Sequence, residues 1–118
     1  MRDFILFSLL QSPISLLISN KKMILQNFNK AFESKARLGI MSVLMVNESV
    51  NFNSLKELLS LTDGNLATHL RALEEAGYLL VKKEFIGRKP NTTYSVTQGG
   101  KDAFHQHLNE LEKFIKGA

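Results

Sequence analysis

The chain contains no cysteine, and this absence excludes several functions at once. Without thiols the protein forms no disulfide, no thiolate metal site and no thiol redox sensor. The lack of cysteine does not identify the cellular compartment. No nucleophile stands near a base in a recognisable catalytic pattern, and the glycines are scattered rather than gathered in a phosphate-binding loop. We therefore expect neither enzymatic activity nor a cofactor.

Three histidines are present, but their spacing does not suit a metal ion. His105 and His107 lie two residues apart in a segment with helical periodicity, so their imidazoles point to different sides of the helix. His69 is isolated from them, and no carboxylates stand at ligand spacing. We predict that the chain has no metal site.

The bulk composition is that of one ordinary globular domain. The chain has 118 residues, of which 44% are hydrophobic and 22% charged, and this length is sufficient for a single core. Fifteen Lys and Arg residues stand against 11 Asp and Glu, which gives a formal net charge of +4. A basic balance favours a polyanionic partner, but by itself it is weak evidence.

The N-terminal segment, residues 1–19, is apolar and allows two interpretations. A signal peptide or membrane span is disfavoured because Asp3 offsets the positive charge expected at the start of a signal peptide and Pro13 interrupts the apolar run. The other interpretation is an arm that packs on the core or on a partner subunit. We favour the arm, and we divide the chain into an extension at 1–22 and a domain at 23–118, with no membrane role and a cytoplasmic location.

Helical and strand patterns alternate along the rest of the chain. Residues 24–47 are helical in pattern, with a polar break at 33–35, and a short β-type patch follows at 50–52. The next helix is predicted to begin at Asn53 or Ser54, because Ser54 and Glu57 have capping-box spacing. Its inward stripe would be Leu55, Leu58 and Leu59.

The second half of the chain continues with a helix at 63–76, for which Thr62 is the expected N-cap and Gly77 the left-handed end. Three leucines, Leu66, Leu70 and Leu73, should face the core. A strand at 79–85, a basic loop at 86–92 and a returning strand with Tyr94 and Val96 follow. Gly99-Gly100 is predicted to interrupt the secondary structure, and a last amphipathic helix follows at 102–116. The order predicts a mainly α fold with a small β-hairpin (α+β), the winged helix-turn-helix.

The outward residues of the helix at 63–76 suit contacts with base edges in the major groove. Gly64 would allow a close approach of the backbone, Asn65 suits adenine, Thr68 a base edge or a thymine methyl, and Arg71 guanine or a phosphate. The alternative is that these residues are simply a solvated helix face. The predicted DNA contacts are Thr62, Gly64, Asn65, Thr68, His69 and Arg71 on the helix, with Arg88 and Lys89 on the wing.

Two stretches, LTDGNLATHLRALEEAGYL and FIGRKPNTTYSVTQGGKDAF, resemble the small stand-alone winged-helix regulators of bacteria and archaea near the MarR and ArsR groups. The similarity runs from about Lys35 to Phe104, and residues 1–22 fall outside it. It implies a homodimeric transcription factor of the cytoplasm without enzymatic activity. The cysteines with which many ArsR-type proteins sense metals are absent, so a metal response is not implied.

These patterns predict a sequence-specific regulator, acting as a homodimeric repressor on double-stranded DNA. The apolar stripe of the last helix would cover the core in a monomer or pair with its twin, and we favour dimerisation through the N- and C-terminal helices. The alternative function is a winged helix that binds another protein. Whether a small effector binds stays open, since Phe28, Phe32 and Phe104 could line a pocket or form plain core.

Overall fold

The computed structural model describes residues 28–116, so the predicted arm at 1–22 and the start of the lead-in helix lie outside the described residues. The chain divides into two compact units, which are described separately: residues 29–107, and a unit to which Phe28 and residues 108–116 belong. None of the helices in residues 28–116 combines the length and apolar character that a bilayer crossing requires.

Four α-helices and three strands follow a short 3-10 helix at Lys30–Phe32. The helices are α1 (Lys35–Met45), α2 (Phe52–Leu59), α3 (Asp63–Glu75) and α4 (Gln98–Lys116). The strands β1 (Val50–Asn51), β2 (Leu79–Ile86) and β3 (Lys89–Val96) form an antiparallel sheet in the order β1-β3-β2. This order confirms the predicted winged helix-turn-helix.

The core forms where α1, α2 and α3 bury their apolar faces against the 3-10 helix and the start of α4. Ring contacts connect its parts, since the Phe32 ring meets the Phe104 ring edge-on with centroids 5.3 Å apart. Both rings are buried, so in residues 29–107 they are core rather than the lining of a ligand pocket. The buried apolar side chains are Phe32, Ile40, Met41, Leu44, Leu55, Leu66, Leu70, Leu73, Leu79 and Phe104.

The predicted start of α2 is wrong. The helix begins at Phe52, and Asn51 is its N-cap because its side-chain oxygen accepts a hydrogen bond from the Ser54 N–H at 2.8 Å. Ser54 therefore lies within the first turn as a donor and does not form a capping box with Glu57. The predicted inward stripe is also wrong at Leu58, which is 65% exposed and borders an open cleft lined by Lys35 and other residues of α1.

Both ends of α3 are set by local hydrogen bonds, as predicted. The Thr62 hydroxyl accepts from the Asn65 N–H at 3.2 Å and caps the first turn. At the other end Gly77 has a φ of +83°, and the Tyr78 N–H donates to the Leu73 carbonyl at 3.0 Å. With the bond from the Gly77 N–H to the Glu74 carbonyl, this is a Schellman motif.

The predicted wing loop at 86–92 is wrong, because the strands extend almost to the tip. The ladder closes at the pair of Ile86 and Lys89, which leaves a turn of Gly87 and Arg88. Gly87 has a φ of +65° at the first turn position, which is typical of a type II′ hairpin turn.

Pro90 belongs to the predicted loop, yet in the structure it lies within β3 opposite Phe85. Pairs in an antiparallel ladder alternate between exchanging hydrogen bonds and not exchanging them, and the pair that closes a two-residue turn exchanges them. Pro90 is in the next pair, so its nitrogen points away from β2. β1 pairs with β3 only at Thr93 and Tyr94, so no ladder bond is lost there.

The predicted break at Gly99-Gly100 is wrong, since both glycines lie in the first turn of α4. The Thr97 hydroxyl oxygen accepts from the Gly100 N–H at 2.9 Å and also donates to the Gly77 carbonyl at 2.7 Å. A β-carbon at Gly100 would clash with the Tyr78 backbone and lie 2.8 Å from a methyl of Val96. Glycine is therefore needed at position 100 for close packing rather than to break the helix.

Replacing Gly100 by alanine should destabilise the fold by about 1–3 kcal/mol, because backbone atoms must move to admit the methyl group. Gly99→Ala is the matched control, since a β-carbon there lies 3.7 Å from its nearest neighbour, the Thr97 hydroxyl. We expect the control to leave stability unchanged or raised, by up to about 1 kcal/mol. Urea unfolding measures both variants, and equal midpoints would contradict the packing requirement.

Acidification should also weaken the fold through His107. This imidazole is buried and its Nδ1 accepts from the Asn29 N–H at 3.3 Å. Burial lowers the pKa of His107, against the opposing charge of Glu33. The folded protein therefore binds the proton less readily than the unfolded chain, in which the pKa is about 6.5. Stability from this group should be complete above that pH and should fall as the pH decreases through it.

Thermal unfolding between about pH 7.5 and about pH 5.5 measures this effect. His107→Gln should flatten the dependence of the melting temperature on pH. His105→Gln, at an exposed position of the same helix, should leave the dependence as in the parent protein. Identical slopes for the two variants would show that His107 does not carry the effect.

Candidate nucleic-acid interface

The rotation of α3 about its axis is fixed by its three buried leucines, Leu66, Leu70 and Leu73. Because successive helical residues turn by about 100°, Gly64, Thr68 and Arg71 must point to the opposite side. All three are exposed, as are Thr62 and Asn65. The structure therefore leaves five of the six predicted helix residues exposed, three of them on the face opposite the leucines, and the sixth, His69, is half-buried on the flank.

Two polar side chains in the first turns of α3, those of Thr68 and Asp63, already have partners within the protein. The Thr68 hydroxyl donates to the Gly64 carbonyl at 2.9 Å, so this oxygen can still accept a hydrogen bond from a partner. Nothing lies within 4 Å of the position that a β-carbon on Gly64 would occupy, so the protein surface is open there. The Lys56 ammonium pairs with the Asp63 carboxylate at 2.8 Å and offsets a negative charge at the helix start.

His69 is connected to the neighbouring helix α1. The Arg37 Nε–H donates to His69 Nδ1 at 3.1 Å, across 32 positions of sequence. This nitrogen is therefore already occupied within the molecule, and the other ring nitrogen is the one available for a partner. The sequence carries no signal for this contact between Arg37 and His69, because nothing local connects the two helices.

A small cleft of about 160 Å³ lies between α3 and the hairpin. Arg71 and Glu74 line it from the helix, and Lys83 and Tyr94 line it from the strands. Burial raises the pKa of the Tyr94 phenol, and the nearby charge of Glu74 raises it further. Tyr94 is therefore protonated at neutral pH, and the cationic side chains of Arg71 and Lys83 border the same cleft.

Strand alternation sorts the wing residues onto two faces. Val81 and Lys83 line the cleft beside α3, so Phe85, two residues further along β2, lies on that same face. Lys82 and Glu84 lie on the other face, where their side chains approach to 3.7 Å. Of the two neighbouring lysines, Lys83 is therefore the cation that lies beside α3.

The two predicted wing contacts occupy different positions. Arg88 is in the turn at the tip and is exposed. Lys89 is exposed as well, but it pairs with Ile86 and so shares the face that points away from α3. Their contact with DNA stays a prediction, as it does for the residues of α3.

A family model for the winged helix DNA-binding domain matches residues 36–115. The chain belongs to this family. The match includes α1, the helix-turn-helix, the hairpin and nearly all of α4, so the surface described above is part of a DNA-binding domain. No cluster of three or more His, Cys, Asp or Glu residues that could hold a metal ion occurs in the part of the chain that the structure describes.

One relative and several solved structures are similar to the chain over most of its length. An uncharacterized protein of Methanocaldococcus jannaschii is 40% identical over 87 residues, which cover 74% of this chain and 95% of the relative. A transcriptional regulator homologue from Pyrococcus horikoshii superposes with a TM-score of 0.74 at 30% identity, covering 84% of this chain and 96% of the other.

MarR is similar in fold. A mutant form of MarR from Escherichia coli, solved in complex with operator DNA, matches with a TM-score of 0.63 at 16% identity, covering 87% of this chain and 74% of that one. The fold is thus the MarR-like fold that the sequence resemblance implied. The resemblance to the ArsR group stays an expectation.

Proposed function

We propose that the protein is a homodimeric transcriptional repressor that binds operator DNA sequence-specifically, with α3 in the major groove and the wing on the backbone or in the minor groove. The observation that carries this proposal is the open face of α3, in which Thr68 and Arg71 point away from a leucine-filled core. Arg71 and Lys83 border one cleft, so the helix and the wing present cations on a shared side.

Family membership and the fold support DNA as the partner, because the matched family is a DNA-binding one. Repression is the simplest mode of action, since occupation of a promoter by the protein is sufficient for it and needs no further surface. A cytoplasmic location accompanies this proposal. The action on transcription can be measured with a reporter gene placed behind the selected operator.

The second candidate, a winged helix that binds another protein, has one observation in its favour. Phe85, Ile86 and Leu58 are large apolar side chains that the described part of the chain leaves exposed. Exposed apolar groups of this size are common at protein interfaces. The basic residues around the wing favour DNA instead, and selection from a DNA library distinguishes the two candidates.

Selection of binding sites from random duplex DNA, at two salt concentrations, tests the proposed function. A dimeric reader should enrich a pseudo-palindromic site whose half-sites are about one helical turn apart, with affinity that falls steeply with salt. Absence of enrichment, or weak binding that disappears at moderate salt, would favour the protein-binding candidate.

Two substitutions should separate the roles of the helix and the wing. Thr68→Ala should reduce discrimination at one base pair of each half-site by about 1 kcal/mol, because Thr68 is proposed to touch a base edge. Arg88→Ala should weaken binding to all sequences and lower the salt slope by about one unit, because Arg88 is proposed to contact a phosphate. Titrations with operator and with mutated duplexes measure both.

The contrast between the two variants is itself the control. If Thr68→Ala weakened binding to all sequences equally, Thr68 would not be reading a base. If Arg88→Ala changed the order of preference among sites, Arg88 would not be a sequence-independent phosphate contact. If both variants bound as the parent protein does, this map of contacts would be wrong as a whole.

The proposal of a homodimer draws on the last part of α4. Leu108, Leu111, Phe114 and Ile115 are spaced for one helix face, and all are exposed in the chain, Ile115 by 74%. Apolar side chains at such spacing favour burial against a second copy, and a two-fold dimer matches a palindromic operator. The proposed contribution of residues 1–22 to the dimer concerns residues outside the described part of the chain.

The double substitution Leu111→Glu with Ile115→Glu should convert the dimer to a monomer, since it places charge on the proposed apolar interface. Light scattering measures the mass, and binding to a palindromic operator should fall along with it. Val46→Glu, at an exposed apolar position just beyond α1, is the control and should leave the dimer intact. A dimer that persists in the double variant would place the interface elsewhere.

A further inference from the structure

The tip of the wing exposes apolar side chains that neither the core nor the proposed contacts explain. Phe85 is 73% exposed and Ile86 is 64% exposed. Burial along β2 ends at Val81, because the strand continues beyond the core for five more residues. A phenylalanine at that distance from the core contributes little to folding stability, so its side chain is available for a partner.

The strand register places Phe85 on the side of the wing that adjoins α3. Residues directly opposite in an antiparallel pair share a face, as do residues two apart on a strand. Val81 pairs with Tyr94 and Phe85 pairs with Pro90, and both Val81 and Tyr94 line the cleft with α3. Phe85 and Pro90 therefore form an apolar pair on the face of the wing that accompanies α3, and Ile86 lies on the opposite face.

Two cations of the wing flank this apolar pair in sequence, and Glu74 of α3 borders the same cleft as Lys83. Lys83 lies on the same face and Arg88 is in the turn just beyond it. The carboxylate nearest in sequence, Glu84, lies on the other face beside Lys82. The partner should therefore be a polyanion with an apolar interior. Duplex DNA matches this description at its minor groove, where phosphates border a narrow channel walled by deoxyribose and floored by base edges.

The backbone beneath the pair is rigid enough for insertion. Eight residue pairs connect β2 and β3, from Leu79 with Val96 to Ile86 with Lys89, and a two-residue turn closes the ladder. Proline has a fixed φ, and an aromatic ring on a paired strand has few conformations to lose on binding. Such a pair can enter a groove at low entropic cost.

We propose that Phe85 and Pro90 form an apolar wedge that enters the minor groove beside the major-groove site of α3 and partly unstacks one base step. This inference rests on the proposed function and adds a second way of reading sequence. Pyrimidine–purine steps unstack most easily, so the wedge selects such a step at a position where no side chain contacts a base edge. The bound duplex is bent at that step.

The test uses the selected operator, labelled with 2-aminopurine at each flanking step in turn and, separately, with a donor and acceptor dye at its ends. The full-length parent protein should raise the 2-aminopurine fluorescence at one step in each half-site and shorten the distance between the dyes. Phe85→Ala should abolish both signals and weaken binding by about tenfold. Phe85→Leu, which keeps an apolar side chain, should retain most of the bend.

Two matched controls remove exposed apolar side chains from the other face of β2. Leu80→Ala and Ile86→Ala should both preserve the unstacking signal and bind within about twofold of the parent protein. If Phe85→Ala kept the signal and the affinity, or if Ile86→Ala abolished the signal instead, the wedge assignment would be overturned.

The possible results also separate this inference from the proposed function. Salt-dependent, sequence-specific binding of the parent protein without unstacking at any step would leave the proposed function standing and overturn the wedge. Failure of the parent protein to bind any selected duplex would overturn both. A decrease of the oligomeric mass in Phe85→Ala, measured by light scattering, would identify the apolar pair as a contact between copies and would also overturn the wedge.

Discussion

The burial of one face of α3 is the constraint on which the rest of this structure depends. Leu66, Leu70 and Leu73 lie in the same core cluster as Ile40 and Leu44 of α1. Their spacing fixes the rotation of α3, because a helix that buries one stripe must expose the opposite one. The residues that contact DNA in the proposed complex are therefore positioned by leucines that cannot touch it.

The wing depends on the same core at one end only. Leu79 is buried and Val81 is half-buried, whereas the strand from Lys82 to Ile86 is exposed. The hairpin keeps its shape beyond the core through its ladder and through the tight turn at Gly87. Secondary structure rather than burial thus holds the outer part of β2 in place, which leaves its exposed tip free of packing requirements. Side chains such as Phe85 can then be selected for a partner.

Features set by local chemistry could be predicted from the sequence. Thr62 as a cap, Gly77 as a left-handed helix end and the leucine stripe of α3 each follow from residue type and spacing. Some failures have local causes, such as the Asn51 cap that starts α2 and the two-residue turn of the wing. Others come from contacts between distant parts of the chain. Glycine is required within the helix at position 100 because Tyr78 and Val96 leave no room for a β-carbon, and Pro90 is tolerated in β3 because β1 does not pair with it. The bond from Arg37 to His69 joins two helices and has no signature within either.

The charges suggest how affinity and specificity divide between the two elements of the proposed complex. Arg71 is the only Lys or Arg in α3, whereas Asp63, Glu74 and Glu75 are carboxylates of the same helix. Phosphate attraction therefore cannot come mainly from the helix, even with Lys56 offsetting Asp63. The four cations of the hairpin against one carboxylate, Glu84, are the stronger source. Because α3 attracts phosphates only weakly, it has little affinity for DNA of the wrong sequence, and its base contacts determine which site it binds. The wing supplies binding energy that does not depend on base contacts.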